Sequence, residues 1–444
     1  MRNEGVDVIV VGGGVAGLAA ARELRGAGKS VRVVEARSRL GGRVHSVTDR
    51  SCNVPIELGA EFIHARALDS LPRGGPVRIT PTELRGESLR ARGGSFEITP
   101  DFWAGLTEQV RTRNLLATPD RPFAEFLATY FRGDRWRDLR AAAIAYVEGF
   151  HAAPASNAST HGLFATEQVF DVADQQWRIL EGGGALVAAM AQGLEPSIHL
   201  NAIVTRIRWE PGRVEVEARS RDGDPLGPFR GRRVLVTLPA GVLKRPPGDA
   251  GAVRFEPGLG PAAEAVRALE MGDAVKVVLR FDDRFWERIG SVAASGGSLE
   301  ALGFLQAPGE PLPAWWTWHP VRAALLTGWA GGPAATRLAG QPREAVLDSA
   351  LASLAHALRL RGSEIQGHLQ AWHYHDWSSD PFARGAYTYL AMGGREAIEQ
   401  VARPVGGTVF IAGEATGADG RHATVHGAIA SGVRAARAIV DGWR

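Results

Sequence analysis

The stretch Val6-Asp7-Val8-Ile9-Val10-Val11-Gly12-Gly13-Gly14-Val15-Ala16-Gly17-Leu18 decides the fold. Val6 to Val11 is a short β-branched run, the composition of a strand buried on both faces. It leads straight into a glycine-rich turn, and Leu18 to Leu24 then follows helical periodicity. A second run, Val31 to Val34, ends at Glu35. Strand, glycine turn, helix, strand and acid fit within about 35 residues, as in a βαβ dinucleotide-binding unit. Gly12, Gly14, Ala16 and Gly17 permit a tight turn and close approach of the backbone to a pyrophosphate at the helix N-terminus. Glu35, about 20 residues on, can accept hydrogen bonds from a ribose. The expected class is α/β, with a Rossmann-like unit at its centre.

Composition bounds what surrounds that unit. The 444 residues make about three domain-lengths at roughly 150 residues each. With 51 basic against 48 acidic residues the net charge is +3, and no basic tail or long like-charge run occurs. That balance argues against a dedicated nucleic-acid binder. Cys52 is the single cysteine, which excludes an intramolecular disulfide and a Cys-rich zinc site. The opening residues carry acids where a signal peptide wants net positive charge, and no run of about 18–20 apolar residues occurs. A cytoplasmic chain with no membrane partner is expected.

The chain shows no internal repeat. Helices are expected near Asp101–Arg113, Pro122–Phe131 and Arg135–Val147, then strands at Ile198–Leu200, Ile203–Trp209, Val214–Ala218 and Val234–Leu238. Val275–Phe281 and Leu369–Tyr374 read as strands around a helix near Arg343–Leu358. The C-terminus repeats the opening pattern, with a strand at Thr408–Ile411, a loop of small residues and a helix from about Thr424 to Val440. The nucleotide domain is therefore expected to be discontinuous, from residues 1–75, 180–240 and 375–444. Residues 76–179 and 241–374 would form an α+β substrate-binding domain with a mixed sheet.

Several residues suggest chemistry by type and place. Arg37 and Gly41-Gly42-Arg43 follow the ribose acid, and the planar fork of arginine suits phosphate oxygens. Only Lys29, Lys244 and Lys276 among the 51 basic residues are lysines. Lys276 is the sole charge in Ala274-Val275-Lys276-Val277-Val278-Leu279 and shares a strand face with Ala274 and Val278. A functional ammonium and an edge-strand lysine reaching for water are the two readings of that pattern. His373 and His375 lie on one strand face without a nearby third ligand, so no metal site is expected. Trp315, Trp316 and Trp318 would either line a tunnel or pack a core.

Beyond these residues, a family pattern emerges. Glu35-Ala36-Arg37-Ser38-Arg39-Leu40-Gly41-Gly42-Arg43-Val44 and Glu57-Leu58-Gly59-Ala60-Glu61-Phe62-Ile63-His64 resemble the flavin-containing amine oxidase family. So do Leu238-Pro239-Ala240-Gly241-Val242-Leu243-Lys244, the Lys276 strand and Trp377-Ser378-Ser379-Asp380-Pro381-Phe382-Ala383-Arg384-Gly385-Ala386-Tyr387. The last block is Phe410-Ile411-Ala412-Gly413-Glu414, closing with Ala423-Thr424-Val425-His426-Gly427-Ala428. The blocks run in family order over nearly the whole chain, nearest to polyamine oxidases and the catalytic domain of histone lysine demethylases.

The resemblance implies FAD, held non-covalently because Ala386 stands where monoamine oxidases carry the linking cysteine. It implies that Glu35 holds the adenosine ribose, that Arg37 and Arg43 follow the phosphates and ribityl chain, and that Val204 meets the adenine. Glu414 would bind ribityl hydroxyls or a phosphate. Thr424 and Val425 would open a helix beside the isoalloxazine ring. Gly42, Gly59, Ala60, Glu61, Phe62, Trp377 and Gly413 complete the implied cofactor set. Lys276 would hold a water at flavin N5, Tyr387 would form an aromatic wall opposite Thr424, and His64 would meet the substrate. Asp171 and Asp174 are candidates to attract a distal ammonium. The expected reaction is hydride transfer from a polyamine-like or secondary amine, giving an imine and then an aldehyde, with O2 reduced to H2O2. An L-amino-acid oxidase is the main alternative, ahead of a flavin-dependent desaturase or a demethylase-like peptide-binding module.

Overall fold

The computed structural model describes residues 5–64, 75–92, 95–99, 101–169, 176–289, 299–418 and 420–443. Val6–Val11 lies inside an eight-stranded sheet, paired in parallel with Val31–Val34 on one side and Pro225–Val236 on the other. Burial on both faces explains the unbroken β-branched run, in which Val8, Ile9 and Val10 are fully buried. Ile198–His199 extends one side of the sheet. Arg213–Arg219, Ile203–Glu210 and Arg254–Glu256 extend the other, and Val409–Ile411 pairs in parallel with Pro225–Val236. Segments distant in sequence thus lie side by side. The helices Val15–Gly26 and Val425–Asp441 cover one face, with Ala16, Leu18, Ala436 and Ile439 in a shared core.

Two details depart from expectation. The strand expected at Val234–Leu238 starts at Pro225 and ends at Val236. Thr237 turns the chain there, its hydroxyl donating to Val11 O at 3.0 Å. The sheet also outruns the expected break at residue 240. Arg254–Glu256 joins its edge, and the helix Pro261–Ala268 packs Ala262, Ala265 and Val266 into the core shared with Val234 and Val409. That helix has a clean apolar face, but three edge-strand residues are too few to reveal themselves by periodicity.

The second unit is built on a seven-stranded mixed sheet. Its order is Leu369–Tyr374, Ala274–Phe281, Leu325–Gly331, Ala314–Trp316, Leu302–Gln306, Glu87–Arg92 and Ser95–Ile98. Val275, Val277 and Leu279 point into a core with Val346, Ala350 and Leu354 of the helix Arg343–Leu358. Strand alternation therefore turns Ala274, Lys276 and Val278 to the other face. A helical cluster formed by Phe102–Thr112, Phe123–Tyr130 and Arg137–Phe150 closes on its own core of Trp103, Leu106, Phe123 and Phe126. Tyr387–Tyr389 pairs with Glu270–Gly272. Among the described residues no helix is long and apolar enough to cross a membrane.

Candidate active site

One cavity of about 1050 Å³ runs between the two units. That exceeds the roughly 300–1,000 Å³ of most small-ligand pockets and suits a dinucleotide together with a substrate. Of the cofactor and catalytic residues expected from sequence, all but Gly17 line it. Gly17 stands behind the wall, where a Cβ would lie 2.0 Å from Gly12 O. Gly12 itself adopts φ +108°, open to glycine at little cost. Gly14 caps the Val15–Gly26 helix with no side-chain bond, so the free N–H groups of the first turn remain available to an anion.

The acids and arginines of this end are tied to one another. Glu35 is buried and accepts from Gly13 N at 2.7 Å and Arg37 N at 2.8 Å. Burial pushes its pKa up, against the pull of those two bonds. Arg37 Nη2 lies 2.7 Å from Asp380, which also meets His375 Nε2 at 2.8 Å. Burial opposes ionisation of Asp380, but His375 and Arg37 outweigh it and hold the carboxyl well below its usual range. Arg43 donates to Glu414 Oε1 and Ala386 O, both at 2.8 Å. The other Glu414 oxygen accepts from Thr388 Oγ1 at 2.6 Å and Ala423 N at 3.2 Å. Burial alone would raise the Glu414 pKa, yet Arg43 and Thr388 bring it below its ordinary value. Glu414 is thus a strut between three segments.

Other expected residues are placed as follows. Val204 precedes a β-bulge, where its strand shifts register against Arg213–Arg219. Trp377 Nε1 donates to Leu58 O at 2.9 Å. Thr424 is the N-cap of the Val425–Asp441 helix, accepting from Gly427 N at 2.9 Å. His64 meets His426 edge-on at 5.6 Å between ring centroids. His422, fully enclosed beside Glu414 and His151, has its pKa pushed down to about 4 chiefly by burial. Asp171 and Asp174 lie outside the described residues.

The Lys276 strand is flanked on both sides, so the edge-strand reading fails. Lys276 Nζ donates to Glu61 Oε2 at 2.6 Å and Gly59 O at 3.1 Å, and the side chain is 4% exposed. Arg178 Nη2 approaches the other Glu61 oxygen at 3.1 Å. Burial works against the Glu61 charge, but the two cations more than offset it and lower its pKa. Register places Trp329 directly beside Lys276 on the next strand. Trp329 stacks on Tyr387 at 6.4 Å and 11°, and Tyr387 donates its hydroxyl to Phe150 O at 2.8 Å.

The tryptophan cluster divides. Trp315 is wholly in the core, Trp316 lines the cavity, and Trp318 packs on Arg178 with the guanidinium 4.5 Å from its ring centroid. His373 lies 3.4 Å from Asp49, whereas His375 belongs to Asp380, so the two histidines serve different acids. Sequence reading missed Arg178, Trp329, Asp380 and Thr388. Arg178 is one arginine among many, and only its place in the short apolar strand Gln176–Ile179 hints at burial.

The model for flavin-containing amine oxidoreductases matches residues 15–73 and 86–440. The chain belongs to that family. It is a flavin-dependent amine oxidase, and its cofactor is FAD. It is 28% identical to polyamine oxidase 5 of Oryza sativa subsp. japonica, covering 97% of this chain and 86% of that one. It is also 28% identical to lysine-specific histone demethylase 2 of Homo sapiens, over 97% of this chain but only 53% of that protein. Among solved structures, a putrescine oxidase with putrescine bound superposes with a TM-score of 0.79 at 22% identity, covering 99% of each chain. The cavity fits the cofactor on its own terms. An uncapped helix end stands ready for the pyrophosphate, and an acid sits at the end of the second strand.

Proposed function

We propose that this oxidase acts on an elongated secondary or N-substituted amine of the polyamine type, with FAD held non-covalently. One row of residues carries the reading. Lys276, Trp329, Ala314, Gln306 and Arg90 are direct register partners on five consecutive strands, and all of them line the cavity. Four inter-strand steps of about 4.8 Å make a corridor of roughly 19 Å. It begins at an ammonium, crosses aromatic walls from Trp329, Trp316 and Phe304, and ends at the donors of Gln306 and Arg90. Such a row suits a long, thin substrate with an amide or other acceptor at its far end.

Bound FAD supplies the two-electron acceptor for a hydride from the carbon beside nitrogen, and returns the electrons to O2 as H2O2. The chain's own residues prepare that step. Tyr387 and Trp329 offer parallel apolar faces that orient the C–H bond. The Tyr387 hydroxyl is engaged by Phe150 O and its pKa is raised by burial, so it takes no proton at neutral pH. Hydride loss needs the nitrogen lone pair, and aliphatic amines with pKa values near about 10.4 react as their minor neutral form. Ala386 lines the cavity and Cys52 does not, which supports non-covalent FAD.

An L-amino-acid oxidase would need an arginine within reach of a carboxylate one bond from the reacting carbon. Arg90 stands roughly 19 Å along the sheet from Lys276, too far for that clamp, which leaves the other lining arginines, Arg92 and Arg337 among them, to the amino-acid arm of the test. Anaerobic mixing with spermidine, N-acetylspermidine, benzylamine and L-amino acids tests the reading. The acetylated polyamine should bleach the flavin fastest, ahead of free spermidine, whose distal ammonium meets the Arg90 cation, and faster at pH 9 than at pH 7. Faster bleaching by benzylamine or an L-amino acid defeats it. Acid precipitation should release all yellow colour into the supernatant.

A further inference from the structure

Lys276 brings a positive atom to the cavity, but its nearest partner is negative. Glu61 lies 2.6 Å from Lys276 Nζ, and those two groups alone would form a neutral pair. A buried neutral pair projects only a dipole, with far less reach than a charge. Arg178 changes the balance from behind. Its side chain is 3% exposed, sits 3.1 Å from Glu61, donates to Thr317 O at 3.1 and 3.2 Å, and does not line the cavity. Trp316 Nε1 adds a neutral donor to Glu61 at 3.3 Å. Lys276, Glu61 and Arg178 together therefore carry one net positive charge. Glu57, a further acid beside them, is buried, and that burial raises its pKa while Ser46 Oγ and Gly183 N hold its Oε1. Lys276 pulls that pKa down and Glu61 pushes it up, so Glu57 takes part in the response of any variant at those two positions.

We propose that Arg178 is a positioning residue for the redox chemistry, because its compensation of Glu61 lets Lys276 act as a net charge on the cofactor. The inference rests on the reading that the flavin ring lies beside Lys276. A hydride carries two electrons and one proton, so its transfer adds one negative charge to the bound cofactor. A net positive neighbour stabilises that state and raises the reduction potential. Arg178 would do so without touching flavin or substrate.

The midpoint potential of the holoenzyme, measured against a reference dye, tests this without turnover. Lys276→Met and Arg178→Gln should each lower the two-electron reduction equilibrium at least tenfold, a fall of about 30 mV. Arg178→Lys keeps the charge and should stay close to wild type. Glu61→Gln combined with Arg178→Gln leaves Lys276 alone with its charge, and the potential should return toward wild type. A purely structural Arg178 would make the double variant worse than either single one, which overturns the proposal. So does an unchanged potential in Arg178→Gln while Lys276→Met lowers it. If neither variant moves the potential, the placement of the flavin ring fails and this inference fails with it.

Discussion

The two ends of the cavity are built by opposite means. The nucleotide end is mostly backbone, with a glycine turn, an uncapped helix start and an acid held by two main-chain N–H groups. The ring end is mostly side chains. Its key contacts join residue 61 to 178 and 276, and 329 to 387. Backbone sites tolerate no added atoms but are indifferent to most other changes, whereas side-chain sites depend on which charges and rings are brought together. Damage should therefore be steric at one end and electrostatic or positional at the other.

The steric end breaks hardest. In Gly17→Ala the new Cβ would sit 2.0 Å from Gly12 O, against backbone that cannot swing aside. Overpacking of this kind costs about 3 kcal/mol, enough to weaken FAD binding roughly a hundredfold. The variant should purify largely colourless, as read from the flavin absorbance relative to 280 nm. A full FAD complement would show that the turn relaxes and that the cradle is less rigid than its geometry implies.

Legibility follows the same division. Gly12 to Gly17 and Glu35 could be read from sequence because a local turn needs those residues at fixed spacing. The same holds for the strand Val6–Val11 and the C-terminal helix. Lys276 stood out because lysine is rare and its strand is otherwise apolar. Glu61 was assigned to the cofactor by resemblance, but its bond to Lys276 and Arg178 depends on three segments meeting in space. No spacing rule encodes that meeting. Arg37 likewise reads as a phosphate ligand by residue type, but its ion pair with Asp380, more than three hundred residues away, has no sign in the sequence. The edge strand Arg254–Glu256 was invisible for a simpler reason: three residues carry no period.

His422 lines the cavity beside His151 and Glu414 and should register acid. Its pKa falls from an ordinary 6.5 to about 4 on folding, first through burial and then through His151. Below pH 6.5 the unfolded chain binds a proton that the folded chain refuses, so stability drops as pH falls toward 4. At pH 5 the loss is about 2 kcal/mol for this group alone. Thermal melts should show a lower Tm at pH 5 than at pH 7, and a smaller difference in His422→Asn. Equal differences in the two proteins would remove His422 from the acid-sensitive groups.

The aromatic wall should respond next. Tyr387→Ala removes the face stacked on Trp329 and should slow flavin reduction about tenfold, near 1.4 kcal/mol, without loss of FAD. Tyr387→Phe loses only the bond to Phe150 O and should stay close to wild type. Stopped-flow reduction at saturating amine separates the two. Equal slowing in both variants would shift the role from ring to hydroxyl.

The smallest expected effect decides to which end Thr424 belongs. Resemblance places it opposite Tyr387, as a member of the substrate cage. Its hydroxyl, however, is already committed to the helix start, accepting from Gly427 N at 2.9 Å and donating to Arg421 O at 2.7 Å. Replacing such a cap with alanine costs about 1 kcal/mol. The small side chain that remains still leaves space opposite Tyr387 for a substituent on nitrogen. Thr424→Ala should therefore melt slightly lower and keep its rate of flavin reduction within about threefold. A tenfold slower reduction with an unchanged melt would make Thr424 part of the substrate cage and not a cap. The boundary between backbone-built and side-chain-built chemistry would then move one residue toward the C-terminal helix.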